Sequence, residues 1–271
     1  MFGIVLRNQR ISIFKTLLIN FKTLPIKQAI HLPIWVYSDT YLQSLGMIRI
    51  DNKEKIKSGM IRIGKRNFFK GYPSMLSNAG TIVFKGYTLI EAGTQIQNCG
   101  RIVFDEDSRL CECVKVLVVD NLYIGKSTQI AFEGVIMDTD FHYLINIENG
   151  EVKQSIKSIH IGSFNWSGNR TLFRKGTVTP DHTIIANNSI LSKDYTNEGE
   201  NILLAGQPAK CVKKGMRRLW RTDTSKICSQ YFKENPTTSS YTFNDIKDWD
   251  AFTIGSEEYP GDNFLPNHQN W

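Results

Sequence analysis

The sequence predicts an all-β fold, a parallel β-helix wound from six-residue repeats, and three observations point there. Phe84, Ile90, Ile96 and Ile102 stand six apart, Val118, Ile124, Ile130 and Ile136 repeat the spacing, and a third series runs Ile161, Ser167, Phe173, Thr179, Ile185, Leu191. Four residues after most of these come small or polar side chains, among them Thr88, Thr94, Thr128, Asn165, Thr171 and Thr183. The 271 residues are 41% hydrophobic, enough to bury a core, yet no run reaches the ~18 uninterrupted apolar residues of a membrane span. A period of six fits neither the 3.6 of an α-helix nor the 2.0 of a lone strand. It fits short strands stacked coil on coil at about 4.8 Å, with aliphatic ladders inside and small residues at the corners.

Four stretches follow from this pattern. Residues 1–60 are expected to be a partly helical flanking segment, in which Phe14, Leu17, Leu18 and Phe21 form an apolar stripe near Arg10, Lys15 and Lys22. That stripe suits packing on the coils, or peripheral rest on an anionic membrane surface. Residues 61–209 are the β-helix, interrupted by a loop at 143–158. Ile161 lies 25 residues after Ile136, one more than four hexads, and Asn149-Gly150 is a turn signal inside the break. Residues 210–221 are read as a basic capping helix, from Val212, Met216, Leu219 and Trp220 at helical spacing. Residues 222–271 are an acidic, aromatic tail without periodicity, expected to be irregular. That tail holds 3 Lys and Arg against 8 Asp and Glu, so the chain's net +7 divides into −5 there and +12 before it.

Five cysteines without paired CxxC spacing argue against a disulfide framework or zinc knuckle, and the cytoplasm, at most the inner face of a membrane, is the expected compartment. Neither basic segment carries a nucleic-acid-binding module, so no nucleic-acid partner is expected.

In the stretch DTDFH, Asp138, Asp140 and His142 alternate, so in extended backbone they would share one face. Counting sixes from Ile136 lands on His142, where a rung would point inward. The register break instead takes the chain off the coil here and frees the imidazole to face a cleft. His31, His182 and His268 are read as surface residues. His160 follows His142 by 18, one turn of three hexads, but the break removes that alignment and no third zinc ligand appears.

Residues 159–214, "IHIGSFNWSGNRTLFRKGTVTPDHTIIANNSILSKDYTNEGENILLAGQPAKCVKK", resemble the closing coils and C-terminal signature of bacterial hexapeptide-repeat acyltransferases, especially the sugar O-acetyltransferases. The resemblance implies a left-handed β-helix, normally a homotrimer with active sites between neighbouring prisms. It implies acetyl-CoA as donor, a sugar or glycan hydroxyl as acceptor, such as that of a surface-polysaccharide precursor, and no required metal. By the same resemblance His142 is the general base, with Asp140 or Asp138 holding its tautomer. Asn169, Asn187, Ser192, Lys193, Lys210 and Lys213 then line the donor, the lysines meeting its phosphates. N-acetylation of an amino sugar, or a non-catalytic carbohydrate-binding or scaffold β-helix, are the competing readings. Departures from the family pattern are Ser167 and Thr179 on inward rungs, which must find hydrogen-bond partners and are expected to make those coils less regular. The stretch "YTNEGEN" also leaves the chain path from Asp194 to Gly206 open.

Overall fold

The computed structural model describes residues 10–52, 56–66 and 72–254. His268 and Trp271 lie outside them. The chain divides into two compact units, Met1–Met216 and Arg217–Trp271.

In the first unit, short parallel strands stack into a parallel β-helix with three faces. One face is a nine-stranded sheet from Ile34–Val36 to Ala209–Lys214, parallel except for its last pair. The other two faces share an eleven-stranded sheet folded along the long strand Ser74–Phe84. Residues Met75–Asn78 of that strand pair with Gln95–Asn98, and Thr81–Phe84 pair with Arg101–Phe104. The fold needs Gly80, because a Cβ there would lie 2.0 Å from the Gly100 carbonyl oxygen.

Every rung residue in the three six-spaced series is buried. The series restart because coil length changes. Phe84 pairs with Phe104, Ile90 with Leu110 and Ile96 with Val116, each twenty residues on. In these coils the third face holds two inward residues per strand, as Ile102 with Phe104 and Leu122 with Ile124. Later coils lose that extra pair: Ile161 matches Thr179 and Phe173 matches Leu191, eighteen apart.

Corners use a repeated device. Phe164, Arg170, His182 and Asn188 take φ of 56°, 58°, 55° and 57°, the left-handed turn that a sharp bend requires. The next residue is Asn165, Thr171, Thr183 or Ser189. The hydroxyls of Thr171, Thr183 and Ser189 donate back to the carbonyls of Gly168, Pro180 and Ala186 at 2.8, 2.8 and 2.7 Å. The small residues read from the sequence therefore close each corner's hydrogen bonding as well as sparing space.

Ser167 and Thr179 do not loosen the prism as expected. Ser167 Oγ accepts from the Ala131 amide at 3.1 Å, and Thr179 Oγ1 accepts from the Asn165 side chain at 2.7 Å and the Gly162 amide at 3.2 Å. Both polar rungs are satisfied internally, and their strands keep register with Ile185 and Ile161. Between Asp194 and Gly206 the chain makes a 3-10 turn at Thr196–Glu198 and buries Tyr195, whose hydroxyl donates to the Ala209 carbonyl at 3.2 Å.

The ends differ from the sequence boundaries. Coiling starts before residue 61, since Ile34–Val36 already pairs with Ile61–Ile63 and Thr40–Ile50 with Ser74–Phe84. Among the described residues there, α1 (Ile13–Thr23) and α2 (Ile26–Ala29) are the helices. The basic helix expected at 210–221 is instead the strand Ala209–Lys214, antiparallel to Ile202–Gly206. A helix would have left the backbone of that last parallel strand unpaired along its edge, and the hairpin satisfies it. In the second unit the tail is not wholly irregular: α3 (Thr222–Glu234) and α4 (Trp249–Thr253) form, with Tyr231, Tyr241, Phe243 and Phe252 in a chain of ring contacts at 4.4 to 4.8 Å. All five cysteines are free.

Candidate active site

The strand Val135–Met137 ends where the chain leaves the prism. Asp138 turns inward and is fully buried, its carboxylate accepting from the amides of Val119 at 3.0 Å and Asp120 at 2.8 Å. Burial pushes its pKa up, while those amide hydrogen bonds oppose the shift. Asp138 thus anchors the departing chain to the coil beneath. Thr139 bridges Ile156 and Ile145 bridges Val152, so residues 139–156 run out and back as an arm. Its tip is the Asn149-Gly150 turn, with the Gly150 amide on the Asn146 carbonyl at 2.7 Å.

Phe141 takes φ of 61°, which breaks the extended backbone that would have put 138, 140 and 142 on one face. The three residues part company. Asp140 lies beside the coil, and its carboxylate meets Arg174 at 3.0 Å and Lys175 at 2.7 Å. The Lys175 hydrogen bond, with Arg174 behind it, holds the Asp140 carboxyl below the usual carboxylate range. His142 is exposed, its amide on the Asp140 carbonyl at 2.7 Å. Neither carboxylate is hydrogen-bonded to the imidazole, so the orienting pair read from the sequence is not formed in this arrangement.

Asp140 and His142 line one cavity of about 410 Å³, together with Met137, Thr139, Leu144, Leu172 and Arg174. Met137 and Arg174 are register partners in neighbouring coils, and Leu172 pairs with Val135, so one wall is prism and the other is arm. An apolar wall, an imidazole and a guanidinium thus meet within a single recess. Arg174, Lys175 and Leu172 were missed in the sequence. Their signal was present: Ile136 and Phe173 are both rungs, and the residues flanking stacked rungs stand side by side on the outer surface.

The predicted donor residues do not line this cavity. Ser192 and Lys193 follow the strand Ile190–Leu191, which stacks on Leu172–Phe173 of the cavity wall. Asn169 and Asn187 stack at the opposite edge of the same face, the Asn187 side chain accepting from the Asn169 amide at 3.1 Å. Lys193 Nζ sits 5.1 Å from the Tyr195 ring, and Lys210 and Lys213 are exposed on the terminal hairpin. His160 is stacked on Tyr123 at 4.4 Å, and burial lowers its pKa. His182 stacks on Phe164 at 5.0 Å. Among the described residues no three His, Cys, Asp or Glu side chains group as metal ligands.

A prism of hexapeptide coils with an arm and an exposed histidine is the architecture that the acyltransferase resemblance implies. No family model matches the chain. It is 24% identical over 153 residues, 53% of this chain and 76% of the relative, to a protein of Escherichia coli strain K12 provisionally named as the lipopolysaccharide biosynthesis O-acetyl transferase WbbJ. Among solved structures, the polySia-specific acetyltransferase NeuO is 24% identical, covers 74% of this chain and 94% of its own, and superposes with a TM-score of 0.38. The polysialic acid O-acetyltransferase OatWY is 21% identical over 66% of this chain and 87% of its own, with a TM-score of 0.36.

Proposed function

We propose that this protein transfers an acetyl group from acetyl-CoA to a hydroxyl of a sugar, a unit of a surface polysaccharide, with His142 as general base. The observation that carries this reading is an exposed imidazole in a recess walled by the coil and the arm. A sugar hydroxyl is a weak nucleophile at neutral pH, whereas an imidazole, with an ordinary pKa of about 6.5, can accept its proton as the oxygen attacks. The new C–O bond forms at the thioester carbonyl, the tetrahedral oxyanion collapses, and the C–S bond breaks. CoA leaves as a thiolate, which the imidazolium proton neutralises directly or through solvent. The WbbJ likeness, named for O-acetyl transfer, favours a hydroxyl acceptor over an amine.

The donor reading rests on placement. Ser192 and Lys193 stand one coil beyond the Leu172–Arg174 wall and Asn169 and Asn187 flank that face, whereas Lys210 and Lys213 lie on the terminal hairpin of the other sheet. Lysines suit CoA's pyrophosphate and 3′-phosphate as mobile point charges.

A homotrimer supports the same site. On the arm Tyr143, Leu144 and Ile147 are 71, 77 and 92% exposed, apolar surface that a neighbouring prism would cover while completing the recess. Light scattering at micromolar concentration should give three times the chain mass; a monomer of full activity would contradict the assembly. His142→Ala should lower turnover by about 10² to 10⁴ with acetyl-CoA affinity nearly unchanged, because proton transfer matters in the transition state and not in donor binding. An unimpaired variant refutes the assignment.

A further inference from the structure

α1 sits on the first coil by its polar side. The Asn20 side chain donates to the Ile34 carbonyl at 2.7 Å and accepts from the Ile34 amide at 3.1 Å, and Thr16 Oγ1 accepts from the Val36 amide at 3.1 Å. Those bonds satisfy the outer edge of the strand Ile34–Val36, the first rung of its face. Thr16, Ile19 and Asn20 are accordingly the helix residues that are buried.

An amphipathic helix on a folded body ordinarily turns its apolar stripe inward. Here the stripe is outward: Phe14 is 74% exposed, Leu17 41%, Leu18 38% and Phe21 49%. Ile26 and Ile30, just beyond, are also exposed. Rotating α1 to bury the stripe would break the bonds from Thr16 and Asn20 that cap the coil. The orientation is therefore set by edge pairing, and it leaves a contiguous apolar helix face in water.

Charge identifies the occupant. Residues 1–38 include Arg7, Arg10, Lys15, Lys22 and Lys27 and no Asp or Glu. Lys15 is engaged by the carbonyls of Ser38 and Thr40, while Lys22 and Lys27 are exposed near the stripe. A second copy docking through this face would set cations against cations. An anionic lipid surface instead offers headgroups to the lysines and acyl chains to Phe14, Leu18 and Phe21. No helix among the described residues is long and apolar enough to cross a membrane, so attachment through this face is interfacial.

We propose that α1 and the segment through Ile30 form an interfacial anchor that lays its outer apolar face into an anionic lipid surface. The test is flotation of the full-length protein with phosphatidylcholine vesicles, with and without about 30% phosphatidylglycerol. Binding is expected to the anionic vesicles, to weaken at ~0.5 M salt, and to fall at least about tenfold in Phe14→Ser/Leu18→Ser. Lys22→Glu/Lys27→Glu, which alters only exposed charge, should lose the preference for anionic vesicles and serves if the first variant folds poorly. Circular dichroism and melting matched to the parent certify each variant. Absence of flotation overturns the proposal, as does vesicle binding unchanged in both folded variants. If Phe14→Ser/Leu18→Ser alters the oligomeric mass and the parent does not float, the face is a contact between copies and the lipid reading fails.

Discussion

Asp140→Asn separates two roles for the carboxylate beside the candidate base. In the structure Asp140 bridges Arg174 and Lys175, and Lys175 also donates to the Gln154 carbonyl at 2.5 Å, so the start and return of the arm are tied to one coil. The partners retain 48%, 22% and 27% side-chain exposure for Arg174, Lys175 and Asp140, so each ion pair is partly solvated. Such pairs contribute ~0.2 to 1 kcal/mol each, and losing both lowers the anchored arm's stability by roughly 0.5 to 2 kcal/mol. That corresponds to about 2- to 30-fold in the anchored population, the upper bound on the fall in turnover if Asp140 only positions His142. Loss of the base itself is expected to be about 10² to 10⁴. The pH dependence sharpens the distinction. A lowered carboxyl pKa contributes stability that is present above the ordinary value of about 3.9 and is lost only as pH falls through the folded value. Between about pH 6 and 8 the ratio of Asp140→Asn to parent turnover should therefore be flat, and the acidic limb of the profile should not move. Steady-state kinetics across that range, repeated at high salt, measure this. A loss as large as that of His142→Ala with a displaced acidic limb would refute the positioning account and restore the carboxylate–imidazole pair read from the sequence.

Asp107 is held by burial at a pKa of about 6, with Ser127 Oγ on its carboxylate at 3.1 Å, and sits at φ 57°. A raised carboxyl pKa contributes stability that is present below about pH 4 and lost as pH rises through 6, so Asp107→Asn should stabilise at pH 7 by on the order of 2 to 3 kcal/mol and not at pH 4. Urea midpoints at both values measure it, and a gain independent of pH would contradict the burial account. Lys193→Ala with Lys210→Ala should weaken CoA binding several-fold to a few tens of fold and flatten its salt dependence. If either lysine meets the 3′-phosphate, the double variant should discriminate less between CoA and dephospho-CoA; undiminished discrimination moves that phosphate to another cation.

The interior of the prism was legible because an inward ladder writes itself directly as a sequence period. Phe84 through Leu191 can be counted without knowing any partner, since each rung's burial depends only on its place in the coil. What the period conceals is everything decided by neighbouring coils. The extra inward residue Phe104 after Ile102 shifts the rungs that follow, Leu110 and Val116, by two, and appears in the sequence only as an unexplained restart. The terminal hairpin was missed for a related reason: Val212, Met216 and Leu219 do have helical spacing, but the preceding strand's unpaired edge favours Ala209–Lys214 as a strand. Asn20 and Thr16 show the same limit at the other end. Their polar groups orient α1 because of a strand fourteen to twenty residues away, a relation that no local pattern carries.

The stretch DTDFH carries this limit into the site. Alternation would have united two carboxylates with an imidazole, and a left-handed backbone at Phe141 prevents it. Asp138 is consumed by the amides of Val119 and Asp120, and Asp140 by Arg174 and Lys175. Each acid thereby meets positive or amide partners that compensate its charge, which an imidazole alone could not do for a carboxylate as buried as Asp138. The division has a chemical consequence for the proposed transfer. With both acids occupied, the imidazole of His142 is left to the acceptor of the proposed transfer and to whatever covers the arm. Covering apolar residues such as Leu144 would also remove water from the recess, strengthening the interaction between the imidazolium and the oxyanion as charge develops. Assembly would then act on the transition state as well as on the apolar surface of the arm.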